Sequence, residues 1–248
     1  MNNISVIILA KDEERNIAAC VASVRGLGEV IVIDTGSADR TAELARQAGA
    51  IVVSEQWLGF AQQRQRSLQR ARNEWVLFLD ADERLDGKLL QQIIDLAPGA
   101  AVEGYWLRRR NYFLGRPMRN YRWVNDWQLR LFRKDRAVIA PVAVHEGVVV
   151  KGTAERITQG AIEHDAVTSL AQYIAKLNRY TTLDAQQRFG RGQRFSLKKL
   201  VFSPAVEFWK ILLTLGGWRD GMRGLAIAGL SALYKLAVQG KLLELGRG

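Results

Sequence analysis

Through its first hundred residues the chain alternates short apolar, β-branched runs with longer stretches whose apolar positions recur every three or four residues. Uninterrupted apolar runs favour buried strands, and the longer period favours helices packed on a sheet. The pattern predicts strands over Ser5–Leu9, Val30–Asp34, Ile51–Ser54 and Trp75–Leu79. Between them it predicts helices near Ile17–Arg25, Thr41–Gln47 (ending at Gly49) and Phe60–Arg70, with a further helix over Lys88–Leu96 that Asp86 would cap. Such alternation argues for βαβ units and a mostly parallel sheet flanked by helices, its strands buried on both faces. In sheets of this kind ligands gather beyond the C-terminal strand ends. The residues just after Leu9, Ile33 and Leu79 are therefore the place to look for chemistry, and two of these three junctions carry acidic clusters.

From residue 104 to 150 the character changes. Tyr105–Leu107, Gln128–Phe132 and Val148–Val150 read as strands separated by Arg- and aromatic-rich loops, mixed with the same sheet rather than forming a separate domain. From about Leu170 the pattern is helical to the end, and Phe202, Val206, Trp209 and Leu213 are spaced to share one helix face. The apolar stretches Ile211–Leu215 and Leu225–Leu233 are too short to span a bilayer, which takes ~20 apolar residues; they suit the plane of a membrane interface or a helical hairpin packed on the catalytic domain or on another subunit.

Composition changes this picture through charge. The chain has 248 residues, 48% of them hydrophobic, and a net charge of +11. That charge is regional: residues 1–100 sum to −3 (11 basic, 14 acidic), 101–186 to +6 (14 and 8) and 187–248 to +8 (11 and 3). An acidic first half suits metal or substrate work, and a cationic second half suits phosphates, anionic lipid or nucleic acid. The single cysteine, Cys20, can form no internal disulfide, so cytoplasmic residence is the default. The apolar run Ile4–Leu9 has no positive region before it and reads as a first strand, not a signal.

The sharpest chemical signal is Val76-Leu77-Phe78-Leu79-Asp80-Ala81-Asp82-Glu83, an apolar strand delivering carboxylates at its C-terminal end. In an extended chain Asp80 and Asp82 point the same way, so together they can address a divalent cation and the ribose or diphosphate beside it. An isolated D-x-D is more often a solvated strand end; its context here changes the odds. That context is ISVIILAKDEERN over 4–16 and VIDTGSADRT over 32–41. In order and spacing the three segments resemble the opening strand, the second-strand turn and the F-L-D-x-D element of family 2 glycosyltransferases of the GT-A fold.

The resemblance implies a GT-A-like domain over 1–168, with a nucleotide-sugar half over about 1–100 and an acceptor half over about 101–168, followed by a C-terminal helical appendage over 169–248. It also implies a UDP-sugar donor, Mg²⁺ or Mn²⁺, and inversion at the anomeric carbon. Carried over by position, Ala10, Asp12 and Glu13 line the nucleotide pocket and Asp34 contacts the uracil or ribose. Asp80 and Asp82 hold the ribose and the metal, Asp82 being the better metal ligand. Two positions depart from the usual forms: Ala10 stands for a frequent Pro, and Thr35 for the second Asp of D-D-G-S.

Inverting transfer needs a general base facing the acceptor hydroxyl, in line with the leaving nucleotide. His145-Glu146 resembles the H-E at which many small enzymes of this family carry their catalytic acid residue, making Glu146 the first choice; Asp126 is the rival. Gln128 and Arg130 share a strand face that suits the diphosphate. Arg108-Arg109-Arg110, with Arg116, Arg119 and Arg122 among aromatic residues, suggests a loop for an acidic saccharide. His164-Asp165 reads as ordering the local backbone, and two histidines with one cysteine argue against a zinc site.

The tail Lys198-Lys199-Leu200, Pro204, Phe208, Gly217-Trp218-Arg219-Asp220-Gly221 and Gly224 resembles that of bacterial lipopolysaccharide-core enzymes, especially inner-core β-1,4-glucosyltransferases. The partners this implies are an anionic glycolipid acceptor and the cytoplasmic membrane surface, with no nucleic acid. Two other readings are weighed beside it. A different magnesium-dependent nucleotide-processing enzyme would also use D-x-D, but after the first strand or beside a Gly-rich basic loop. A basic nucleic-acid or membrane-binding module would leave the acidic strand ends unexplained.

Overall fold

A computed structural model describes residues 3–97, 101–119, 121–139 and 147–247. The chain divides into two compact units, one of Met1–Arg110 with Asp126–His164, the other of Asn111–Asn125 with Asp165–Gly248. The first begins with β1 (Ile4–Ala10), α1 (Ile17–Ser23), β2 (Gly28–Asp34), α2 (Thr41–Gln47), β3 (Ile51–Ser54), α3 (Phe60–Ser67) and β4 (Trp75–Asp80). Each predicted strand and helix of this stretch is present. The third helix tightens into a 3₁₀ turn over Leu68–Arg70, and the first ends at Ser23 rather than Arg25.

Next come β5 (Glu83–Leu85), α4 (Gly87–Ile94), β6 (Val102–Phe113), β7 (Arg116–Pro117), α5 (Tyr121–Val124), β8 (Asp126–Arg133), β9 (Ala137–Ile139), β10 (Val148–Val150) and β11 (Thr153–Val167). The main sheet runs β3-β2-β1-β4-β8-β6-β11-β5, with β7 on β6. Its first four strands are parallel, whereas β8 is antiparallel to both β4 and β6. This is the GT-A-like α/β architecture expected, but the sheet is mixed rather than mostly parallel, because β8, β7 and β5 each pair antiparallel with their neighbours. Only Ala81 and Asp82 separate β4 from β5, yet β5 lies at the far end of the strand order, so the sheet curls. β9 and β10 form a separate antiparallel pair.

Alternation along the strands sorts the core into two layers. Val6, Ile8, Leu77 and Leu79 pack with Ile17, Cys20 and Val21 of α1 and Leu89 and Ile93 of α4. Ile7, Ile31, Ile33, Val76 and Phe78 face the other way, toward Leu68 and Ala71 after α3. Asp86 caps α4 as expected, accepting from the Leu89 N–H at 2.8 Å. Its second oxygen accepts from the Ala161 N–H of β11 at 3.0 Å. That approach requires Gly160: its φ is +78°, and a Cβ there would lie 2.3 Å from the Leu89 nitrogen.

The second unit contains α6 (Leu170–Gly190), α7 (Leu197–Trp209), a π-helical turn over Lys210–Thr214 and α8 (Met222–Leu245). Its core joins Phe113, Met118, Val167, Ile211, Ile227 and Ala228. Parts of the two short apolar stretches of the tail thus lie inside. The tail's glycines serve this packing, since a Cβ on Gly224 would fall 1.8 Å from the Gly217 carbonyl oxygen.

Gly160→Ala is expected to lower stability by about 2–4 kcal/mol, from left-handed backbone strain and overpacking together. Urea unfolding followed by circular dichroism measures this; an unchanged midpoint would contradict the close approach.

Candidate active site

Register brings the candidate residues to one edge. Ala10 lies opposite Asp34 across β1 and β2, and Leu9 opposite Asp80 across β1 and β4. The C-terminal ends of the parallel strands are level, and both acidic loops leave from that edge.

The loops after β1 and β2 are stitched together. The Asp12 carboxylate accepts from the Ala38 N–H at 2.7 Å, and the Asp12 N–H donates to the Ser37 hydroxyl oxygen at 2.9 Å. That hydroxyl donates in turn to buried Asp34, which also accepts from the Ser37 N–H at 3.2 Å. The Glu13 N–H donates to Thr41 Oγ1 at 2.7 Å, while its carboxylate accepts from the Asn16 amide at 2.7 Å. Asp12 sits at φ +55°, a conformation that Asp tolerates better than most residues. Thr35 is buried, and both its N–H and its hydroxyl donate to the Ala10 carbonyl, at 3.0 and 3.2 Å. An ionised Asp has no donor for that carbonyl, which gives the departure at Thr35 a structural reason.

At the β4 edge three carboxylates interleave with three guanidiniums. Asp80 takes Arg64 Nη2 on one oxygen and Arg130 Nη2 on the other, each at 2.8 Å. Glu83, fully buried, accepts from the same Arg130 nitrogen at 2.9 Å and from Arg109 Nη1 at 3.1 Å. Its second oxygen accepts from the Asp80 N–H at 3.0 Å, closing the turn between β4 and β5. Arg109 Nε donates to Asp126 at 2.7 Å, and the other Asp126 oxygen accepts from Gln128 Nε2 at 2.6 Å. Asp126, Gln128 and Arg130 alternate along β8 and share one of its faces.

Burial alone would push the Asp80 carboxyl up, but Arg130 first, then Arg64, outweigh it and hold it well below the usual carboxylate range. Burial would likewise lower Arg130, and Asp80 and Glu83 more than reverse this. Asp82, two residues on, lies outside the arginine clamp. Its carboxylate is about a quarter exposed and faces His164 Nε2 at 3.4 Å. His164 is brought there by β11, where it pairs with Glu83 of β5.

Arg64 was not singled out by the sequence reading, Glu83 stood there only within the acidic run, and His164, read as ordering the local backbone, instead faces Asp82. The first is one of several arginines on a polar helix, and the last needs β11 to be recognised as a strand. Of the arginine run, Arg109 joins the clamp, and Arg110 faces Glu163 at 3.4 Å and Asp86 at 3.6 Å. Glu146 and His145 lie outside the described residues. Among the described residues no group of three or more His, Cys, Asp or Glu side chains is placed to hold a metal alone. The donors at this edge are therefore an Asp oxygen and an imidazole nitrogen. The Asp82 oxygen fits Mg²⁺ or Mn²⁺ completed by diphosphate oxygens and water, since Mg²⁺ is usually held by one or two carboxylates with substrate phosphates; the imidazole, a softer donor, lies beside it.

The sequence profile of Glycosyl transferase family 2 matches residues 5–149, more than half of the chain. The chain is a family 2 glycosyltransferase. It is 30% identical over 249 residues to the lipopolysaccharide core biosynthesis glycosyltransferase LpsC of Rhizobium meliloti (strain 1021), covering 97% of this chain and 92% of that one. An uncharacterised glycosyltransferase of Rickettsia typhi is 28% identical over 258 residues, covering 99% and 88%. Among solved structures, this glycosyltransferase overlaps glucosyl-3-phosphoglycerate synthase of Mycobacterium tuberculosis, in complex with Mn²⁺, UDP and glucosyl-3-phosphoglycerate. That overlap has a TM-score of 0.36 at 26% identity, over 45% of this chain and 44% of the other. Family membership displaces the reading as a non-enzymatic basic module.

Arg130→Leu in this glycosyltransferase would leave buried Glu83 with Arg109 and Asp80 with Arg64 as their remaining guanidinium partners, and is expected to cost about 3 kcal/mol in urea unfolding. The depressed Asp80 value adds a pH signature. Its contribution is complete above the ordinary carboxylate range and is lost as pH falls below about 4. The wild-type unfolding midpoint should therefore fall more steeply from pH 4 to 2 than that of Asp80→Asn; parallel profiles would contradict the clamp.

Proposed function

We propose that this glycosyltransferase moves a hexose, glucose being the first candidate, from a UDP-sugar to an anionic glycolipid with inversion. The acceptor we favour is the inner core of lipopolysaccharide, presented at the cytoplasmic face of the inner membrane. The observation that carries the donor half is the level strand edge that delivers Asp34 from β2 and Asp80 from β4, with Asp82 two residues beyond. The similarity to LpsC along nearly the whole chain supports the acceptor half, as does the +14 charge of residues 101–248 (+6 and +8).

In this reading Asp82 holds Mg²⁺ or Mn²⁺, with His164 beside it, and Asp34 takes the uracil or ribose. A bound divalent cation would offset negative charge building on the leaving diphosphate. Asp80, fixed by two arginines, presents a rigid edge toward the ribose. Ala10, Asp12 and Glu13 shape the floor of the nucleotide pocket, largely through the loop hydrogen bonds described above. Gln128 and Arg130 act from behind: Arg130 is buried against Asp80 and Glu83 and orients them more directly than it could meet a diphosphate.

Glu146 is the proposed general base. Its rival Asp126 already accepts hydrogen bonds on both oxygens, from Arg109 and Gln128. A carboxylate so occupied is less available to an acceptor hydroxyl.

The test is UDP release from a panel of UDP-hexoses, with lipopolysaccharide cut back to its inner core as acceptor. Asp82→Asn is expected to abolish transfer with the fold intact. Glu146→Gln should lower turnover by ~10²-fold or more with donor binding retained, the scale of a lost general base. Near-normal turnover in Asp82→Asn would overturn the metal assignment, and in Glu146→Gln it would move the base to Asp126.

A further inference from the structure

The second unit carries an apolar face that no described residue covers. α7 is rich in large apolar residues, yet none of its residues is buried. Leu197, Val201, Phe202, Val206 and Trp209 are each more than half exposed, as are Leu213 in the π-helical turn, Trp218 and Met222. Phe202, Val206, Trp209 and Leu213 form one stripe at helical spacing. Phe208, Leu212 and Leu215 turn the other way and pack with Ile211 and Ile227 in the core of the unit. The stripe is therefore the outer ridge of an anchored element, not a frayed end. Contiguous apolar exposure of this extent marks an interaction site.

Charge identifies the occupant. Between residues 187 and 222 there are seven basic residues, including Lys198, Lys199 and Lys210, and two acidic residues, Glu207 and Asp220. Lys198, Lys199 and Lys210 are exposed on the same segment as the stripe, and the Arg219 guanidinium lies 5.3 Å above the Trp218 ring. A two-fold contact with a second copy would set this cationic rim against itself. A partner with an apolar interior and an anionic surface answers both the ridge and its rim. Among the described residues no helix is long and apolar enough to cross a membrane, so the element would lie in the interface plane.

We propose that α7, the π-helical turn and the Trp218–Met222 segment form the membrane-docking element, inserting Phe202, Val206, Trp209 and Leu213 among the acyl chains of an anionic bilayer. Lys198, Lys199, Lys210 and Arg219 meet its headgroups. The proposal rests on the reading of a lipid-linked acceptor, because docking brings the enzyme to the surface that displays it.

The test is flotation of the full chain with phosphatidylethanolamine vesicles, with and without phosphatidylglycerol, while UDP binding with Mn²⁺ is measured on the same samples. Wild type is expected to float with the anionic vesicles. Val206→Glu with Leu213→Glu should cut the bound fraction at least tenfold, with helix content and UDP binding unchanged. Lys198→Gln with Lys199→Gln should weaken binding and reduce its salt sensitivity. Wild type that fails to float, or a Val206→Glu, Leu213→Glu variant that floats like wild type, would overturn the proposal. So would a wild-type dimer in sedimentation that the same variant converts to monomer, with no vesicle binding; the face would then belong to a second copy. Vesicle binding without UDP binding would uphold docking and count against the transfer reading alone.

Discussion

The buried ion pairing of Arg130 with Glu83 and Asp80 is the constraint on which the rest of the site depends. Carboxylates so close together repel one another unless cations sit between them, and a buried carboxylate without a partner is costly. Three arginines from three elements meet that need: Arg64 from α3, Arg109 from β6 and Arg130 from β8. In doing so they tie the end of β4 to the antiparallel strands beside it and fix the turn into β5. Such a network need not add net stability over an apolar core of the same shape. What it adds is position: Asp80 has its oxygens held from two sides, and Asp82 is left projecting outside the clamp.

The opposite loops are ordered by other means. Asp34 is held by a serine hydroxyl and a backbone N–H. Asp12 and Thr41 cross-link the turn after β1 to the turn after β2. Pre-formed hydrogen bonds of this kind reduce the ordering cost of binding. The acidic residues that distinguish the first hundred positions thus divide into those that build the loops, such as Asp12 and Glu13, and those that we propose meet donor and metal.

Much of this was legible in the sequence, because the parallel half of the sheet is built from apolar runs whose period is plain. The strand ends delivering Asp34 and Asp80 follow from those runs, and the shared face of Gln128 and Arg130 follows from strand alternation. β11 was not legible: in Thr153–Val167 polar residues occupy most positions, and Gly160 interrupts the run for the sake of α4. With that strand unseen, the approach of His164 to Asp82 stayed hidden. The partners of Arg64 and Arg109 were hidden for another reason, since ion pairs between elements distant in sequence leave no local periodicity. The helical stripe on α7 was visible as spacing, but only the packed neighbours show which side of the helix stays uncovered.

The central claim is that Asp82, and not the clamped Asp80, carries the metal-dependent part of donor binding. Calorimetric titration of UDP into wild type and Asp82→Asn, with Mn²⁺ present and then chelated, tests it most directly. The account expects wild type to bind UDP in a manner lost on chelation, and Asp82→Asn to bind weakly whether or not Mn²⁺ is present. Metal-dependent binding by Asp82→Asn equal to that of wild type would contradict it.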